Sequence, residues 1–161
     1  MDLNRRFWSN DVQSIIRAEG HYGNALLTFS RDNEALPILR SVHEKRVALL
    51  GPRDRDSIGA ANSVVLALTN LDRFAEARAV SRQNLTFARE DLGRNDDTWL
   101  RVAGAFSRAV LKDNECPAAE LREMSKIMDD ASRAARRILG AAHPLVRGLE
   151  SDLARVRARL S

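Results

Sequence analysis

Apolar residues in this chain recur every three or four positions over most of its length. Ile58, Ala61, Val65 and Leu68 form one such run, and a second run begins near Phe74 after a short polar break. This spacing places apolar side chains on one face of an α-helix, whereas a half-buried strand would need strict alternation. The pattern therefore predicts helices that follow one another in pairs, and no strands.

The dipeptide Leu-Gly ends each predicted pair of helices, with its glycine at Gly51, Gly93 and Gly140. A glutamate stands 17 residues before each of these glycines, and the glycines themselves are 42 and 47 residues apart. An internal period in the range of about 20–50 residues indicates a stacked-repeat architecture. The five additional residues of the third unit are predicted to form a dispensable surface loop around residues 114–117, because surface loops absorb insertions at little cost.

These boundaries predict one all-α domain, residues 1–161, with seven helices. The units span about residues 11–51, 57–93 and 98–140, and a last helix covers about 144–160. That helix has no second helix after it, and one of its faces carries a stripe of large apolar residues: Leu145, Leu149, Leu153, Val156 and Leu160. It is predicted to cap the open end of the array, as terminal repeats do.

Composition limits where in or outside the cell the protein can be located. The net charge of +4 arises from 26 basic and 22 acidic residues that are interleaved along the chain, which is typical of solvated helix surfaces. Cys116 is the single cysteine, so no internal disulfide can form. No apolar run approaches the roughly 18 residues of a membrane span, and no secretory signal is recognisable. We therefore expect an intracellular protein without membrane insertion, most simply cytoplasmic, with an organelle interior left open.

The residue types that carry enzymatic chemistry are few and scattered. His21, His43 and His143 lie far apart, and Cys116 has no histidine near it in the sequence. No nucleophile, base and acid can be assembled at a defined spacing, so we predict no enzyme, no metal site and no cofactor. The aromatic pair at residues 7–8 could be an interface anchor, or it could pack over the first helix.

Several segments together resemble a known repeat. Residues 34–51, EALPILRSVHEKRVALLG, are similar to the second helix of tetratricopeptide repeats of the kinesin light chain type, which share the 42-residue spacing. Residues 139–144 read Leu-Gly-Ala-Ala-His-Pro, close to the end of such repeats, and Asn62 and the Glu76-Ala77 pair match the frame of their two helices. Asp54-Arg55 and Asp96-Asp97 stand where this family has His-Pro. The resemblance implies a right-handed α-α superhelix of about three and a half repeats.

The resemblance also implies which positions of the leading helices face a concave groove. Six of those 20 positions are basic and none is acidic, and chance alone would give about three acidic residues. The groove residues predicted to contact a partner are Arg17, Asn24, Asn62, Asn70, Arg101, Arg108, Lys112, Arg155 and Arg159. Arginine can hold a carboxylate through two parallel hydrogen bonds, so this set favours an acidic ligand.

The sequence thus favours a non-enzymatic protein-interaction module, an adaptor or scaffold that binds an acidic peptide or protein surface in a basic groove. One alternative is a structural subunit or linker within a larger assembly. Another is a nucleic-acid-binding helical repeat, suggested by a pI near 10.0. Aromatic residues make up only 5% of the chain, so platforms for base stacking are scarce.

Overall fold

A computed structural model describes residues 3–94 and 96–161, with side chains from residue 11 onward. Within these ranges the chain is all-helical, contains no strand and forms seven α-helices, as the sequence predicts. They are α1 (Leu3–Thr28), α2 (Asp32–Leu50), α3 (Arg55–Asn70), α4 (Phe74–Phe87), α5 (Asp97–Lys112), α6 (Ala118–Leu139) and α7 (Pro144–Ala158). α4 continues into a π-helical turn, Ala88–Leu92. α1 begins eight residues earlier than the sequence pattern indicated.

The three Leu-Gly sites end helices in the same way. Gly51, Gly93 and Gly140 have φ angles of +89°, +84° and +80°. Residues with a side chain seldom adopt this region, whereas glycine does so at no steric cost. Ser30 and Asp72, also 42 residues apart, have φ angles of +58° and +57° in the turns that follow α1 and α3. The repeat seen in the sequence is therefore also a repeat of backbone conformation.

Helix α3 is capped by Asp54, which accepts a hydrogen bond from the amide of Asp56 at 2.8 Å. Helix α7 is capped by His143, whose Nδ1 accepts from the amide of Leu145 at 3.2 Å. The sequence pattern had placed the start of α3 nearer Asp56, but the carboxylate two residues earlier meets the free amides of the first turn. Asp54 is thus the N-cap of α3, as His143 is the N-cap of α7.

Asp96 caps α5 by accepting from the amide of Thr98 at 2.8 Å, and it forms an ion pair with Arg55. Burial by itself raises the pKa of Asp96, but the amide and hydroxyl of Thr98 and the Arg55 guanidinium more than offset this, so the pKa lies below its ordinary value. The aspartates that replace His-Pro in the first two junctions therefore preserve the capping function.

The helices pack in two sets. The odd-numbered helices contact one another in order, α1 with α3, α3 with α5, and α5 with α7. Each even-numbered helix packs against the two odd-numbered helices next to it in the chain, whereas α2, α4 and α6 lie farther apart and meet through long side chains, as in the ion pairs Arg40–Glu76 and Arg82–Glu123. The core lies between the two sets, and Phe106 of α5 is its largest fully buried side chain. Burial of such a side chain contributes about 1.5–3 kcal/mol.

The prediction that all five additional residues of the third unit lie in a loop is wrong. The loop 113–117 is only two residues longer than its counterpart 71–73. The other three residues lengthen α6, which has 22 residues against 14 in α4 and five in its π-helical turn. The loop also packs, because Cys116 is buried and Asp113 forms an ion pair with the buried Arg78.

No helix of the described residues is long and apolar enough to cross a membrane.

Candidate binding face

Helix α5 is covered on every side except one. Eleven of its 16 residues are buried. The uncovered positions, Asp97, Arg101, Gly104, Arg108 and Lys112, follow one another at intervals of three or four and so share one face of the helix. After Asp97 in the first turn, every charged residue of this face is basic. We call Arg101, Arg108 and Lys112 the α5 stripe.

Helix α3 likewise has a single uncovered face, which is neutral beyond the oppositely charged Arg55 and Asp56 of its first turn. Gly59, Asn62, Ser63 and Leu66 are partly buried there, and Asn70 at its end is exposed. Because α3 packs directly on α5, and their other sides are covered by even-numbered helices, the two uncovered faces adjoin. We call the surface formed by the uncovered positions of α1, α3, α5 and α7 the odd-helix face.

The cations of the odd-helix face are only weakly compensated. Arg101 lies 3.3 Å from a carboxylate oxygen of Asp97, and Arg155 lies 3.5 Å from one of Asp152. Both arginine side chains are 62% exposed, and exposed pairs of this kind contribute little because water and salt screen them. Among the described residues, Arg108 and Lys112 have no ion-pair partner. A ligand would therefore meet positive charge along the α5 stripe.

Two of the predicted asparagines have different surroundings. Asn62 Oδ1 is buried and accepts no hydrogen bond from the described part of the chain. Asn70 Nδ2, in contrast, donates to Asp32 Oδ1 at 2.8 Å and so ties the end of α3 to the start of α2. The unmet acceptor of Asn62 thus lies buried beneath the odd-helix face, whereas part of the hydrogen-bonding capacity of Asn70 is used within the fold.

Arg159 differs from the other predicted groove arginines, because its guanidinium is hydrogen-bonded within the fold. Its Nη1 donates to Val110 O at 3.0 Å and its Nη2 donates to Asn114 O at 3.1 Å. The last carbonyls of a helix have no partner within that helix, and a cation is favoured at this negative end. Arg159 therefore closes the end of α5 and has little capacity left for a partner.

The two predicted contact residues of α1 lie close to α3. Arg17 and Asn24 line a depression together with Gly20 of their own helix and Gly59 of α3. All four are positions that the resemblance implies for the groove. Arg46 of α2 and Ser63 of α3 line it as well, and sequence reasoning missed both. Arg46 was missed because only the leading helix of each unit was searched.

The other residues considered for chemistry or binding are a cysteine, a histidine and the aromatic pair at residues 7–8. Burial raises the pKa of the Cys116 thiol, which disfavours the reactive thiolate. Burial lowers the pKa of His43. No cluster of three or more histidine, cysteine, aspartate or glutamate residues that could hold a metal ion occurs in the described ranges. The side chains of Phe7 and Trp8 lie outside the described residues, so their two interpretations stay open.

Comparison with known proteins adds no relationship. No protein-family model matches the chain, and none of the curated proteins is significantly similar to it. The resemblance to tetratricopeptide repeats therefore stays a prediction that rests on the residues quoted above.

Proposed function

We propose that this protein is a non-enzymatic interaction module of the tetratricopeptide-like solenoid class, and that its odd-helix face is a concave groove for an acidic peptide or protein surface. The observation that carries the proposal is the α5 stripe. The central helix of the chain leaves one face uncovered, and beyond the first turn that face carries cations and no acid.

The packing of the helices supports the solenoid part of the proposal. The backbones of odd-numbered helices approach one another closely, whereas even-numbered helices meet through long side chains such as those of Arg40 and Glu76, so the odd set is packed more closely than the even set. A stack of helix pairs with one closer layer curves towards that layer. The odd-helix face would then line the inside of the curve, where an extended ligand can contact several repeats at once.

The charges support an acidic ligand. Arg101, Arg108 and Arg155 are exposed, and a guanidinium binds a carboxylate in a bidentate manner that lysine cannot match. A rotation of the Asn62 side chain would bring its buried, unmet acceptor to the surface, where it can bind the backbone amides of a peptide. Attraction of this kind speeds association and weakens as salt rises, because the screening length is about 8 Å at 0.15 M.

A double charge reversal tests the proposal. Arg108→Glu with Arg155→Glu should weaken binding of a fluorescein-labelled, glutamate-rich peptide, measured by fluorescence anisotropy at low and at physiological salt. The matched control is Arg122→Glu with Lys126→Glu, because these two cations are exposed on the even-numbered helix α6 and change the net charge equally. Equal affinity of both variants would refute the groove, and tighter binding of a single-stranded oligonucleotide of equal charge would favour the nucleic-acid alternative.

A second candidate function is that of a subunit within a larger assembly. It is favoured by apolar residues at the outer side of the first helix pair, where Val12, Ile15 and Leu49 are 45%, 58% and 42% exposed. Free proteins seldom leave neighbouring large apolar side chains in water. A native mass well above the 18.0 kDa of the chain, measured in cell extract, would support this function.

A further inference from the structure

A depression of about 200 Å³ lies between α1 and α3, with α2 as its floor. Five polar side chains line it: Arg17, His21, Asn24, Arg46 and Ser63. We call it the α1–α3 depression. The rest of its lining consists of glycines and small or apolar residues, so no carboxylate takes part. Every one of the five polar side chains can donate a hydrogen bond.

The two guanidinium groups are held differently. Arg46 Nη1 donates to Asp56 O at 2.9 Å, which fixes the guanidinium beside the first turn of α3 and leaves its other N–H groups for a ligand. Arg17 is exposed and forms no ion pair within the described ranges. Two cations that converge on one depression without a compensating acid repel each other, and a bound anion removes that cost.

The helix backbone leaves room for such an anion. A Cβ added at Gly59 would meet no atom of the described residues within 4 Å, so internal packing does not demand glycine there. Glycine inside a helix is less favourable than alanine. A Cβ added at Gly20 would lie 3.5 Å from Val42 Cγ1, in ordinary contact. Gly59 thus borders a space that the described part of the chain does not fill.

We propose that the α1–α3 depression binds a phosphoryl group carried on a phosphorylated serine or threonine side chain of the partner. A phosphoryl group carries about −1.5 to −2 charges and three acceptor oxygens, which matches two guanidinium groups and three further donors better than a carboxylate with one charge does. The proposal deepens the acidic-ligand function and rests on it for the identity of the partner, but the anion site itself is independent of the α5 stripe.

The test compares two forms of one glutamate-rich probe peptide, with a serine or a phosphoserine at its centre. The phosphorylated form should bind at least about tenfold more tightly, which corresponds to one charge-assisted hydrogen bond. Arg17→Gln should abolish that advantage, and so should Gly59→Leu, which fills the depression but keeps every charge. The matched control is Gly148→Leu on α7, since Gly148 also has no atom within 4 Å of an added Cβ.

Two outcomes would overturn the proposal. One is equal affinity for both peptides. The other is a wrong response of the affinity advantage of the phosphorylated peptide to the two leucine variants: it survives in Gly59→Leu, or Gly148→Leu loses it equally. A titration with inorganic phosphate at constant ionic strength, followed by amide NMR shifts, tests the phosphoryl site independently of the acidic-ligand function. Saturable shifts at Gly20 and Gly59 without any peptide binding would mean that the depression binds free phosphate, which refutes the proposed source as well as the acidic-peptide function. If the serine peptide binds but phosphate causes no saturable shift, the function stands and the phosphoryl site fails.

Discussion

The contacts of Arg159 predict that this residue stabilises the fold and takes no part in binding a partner. The change that tests this is Arg159→Met, which removes the guanidinium and keeps most of the apolar stem. In the folded protein it removes the hydrogen bonds to Val110 O and Asn114 O, at 3.0 and 3.1 Å. The carbonyl of Val110 lies in the last turn of α5, where few other donors can reach it.

The size of the effect follows from those two bonds. A hydrogen bond to a charged group contributes about 1.5–3 kcal/mol, and the bond to Asn114 is exposed and so contributes less. We therefore expect the free energy of unfolding to fall by about 2 kcal/mol. For a chain of this length each kcal/mol lowers the melting temperature by about 2–4 °C, which gives a decrease of about 4–8 °C.

The matched control is Arg155→Met, four residues earlier in the sequence. Arg155 is 62% exposed, and its ion pair with Asp152 is long, at 3.5 Å. Its loss should change the free energy of unfolding by less than about 0.5 kcal/mol. Thermal unfolding followed by circular dichroism gives the stabilities, and anisotropy with the glutamate-rich peptide at a temperature where both variants are folded gives the affinities. Arg159→Met should melt earlier and bind normally, whereas Arg155→Met should melt normally and bind more weakly. If the two variants melt together, the inference that Arg159 closes the end of α5 is refuted.

Three further outcomes are expected. Asp96→Ala should destabilise more than Asp54→Ala, because each loses a cap of about 1 kcal/mol but only the first also loses an ion pair. Since the pKa of Asp96 is lowered by folding, its contribution is complete above about pH 4 and is lost at lower pH, so urea titrations should show the stability of Asp96→Ala converging on that of the unchanged protein in acid. Asp113→Ala should cost about 1.5–3 kcal/mol, because it removes one hydrogen-bonded ion pair of the buried Arg78 while the pair with Glu120 remains, and a loss below about 1 kcal/mol would support a dispensable loop. Truncation after Gly140 should cause aggregation, visible by light scattering, because it removes α7 from the core; a truncated chain that stays monomeric and equally stable would contradict the capping role.

Much of the fold could be predicted from local patterns. The helical spacing of apolar residues and the Leu-Gly sites gave the number and order of the helices, because both act within a few residues of the chain. The three glycines adopt the positive φ angles that their position at helix ends predicts. The three junctions also obey local chemistry, since aspartate at 54 and 96 caps a helix as histidine does at 143.

The roles of individual polar residues depended on contacts between distant parts of the chain. Arg155 and Arg159 lie four residues apart and look equivalent in the sequence, yet one is exposed while the other bonds to carbonyls 45 to 49 residues away. Arg46 comes near Arg17 only because α2 packs beneath α1 and α3. Sequence by itself therefore determined which segments are helical and where they end, since hydrogen bonds within a helix and its caps are local. Only the tertiary structure decided which arginines remain free for a ligand, because that depends on which carbonyls and carboxylates packing brings within reach.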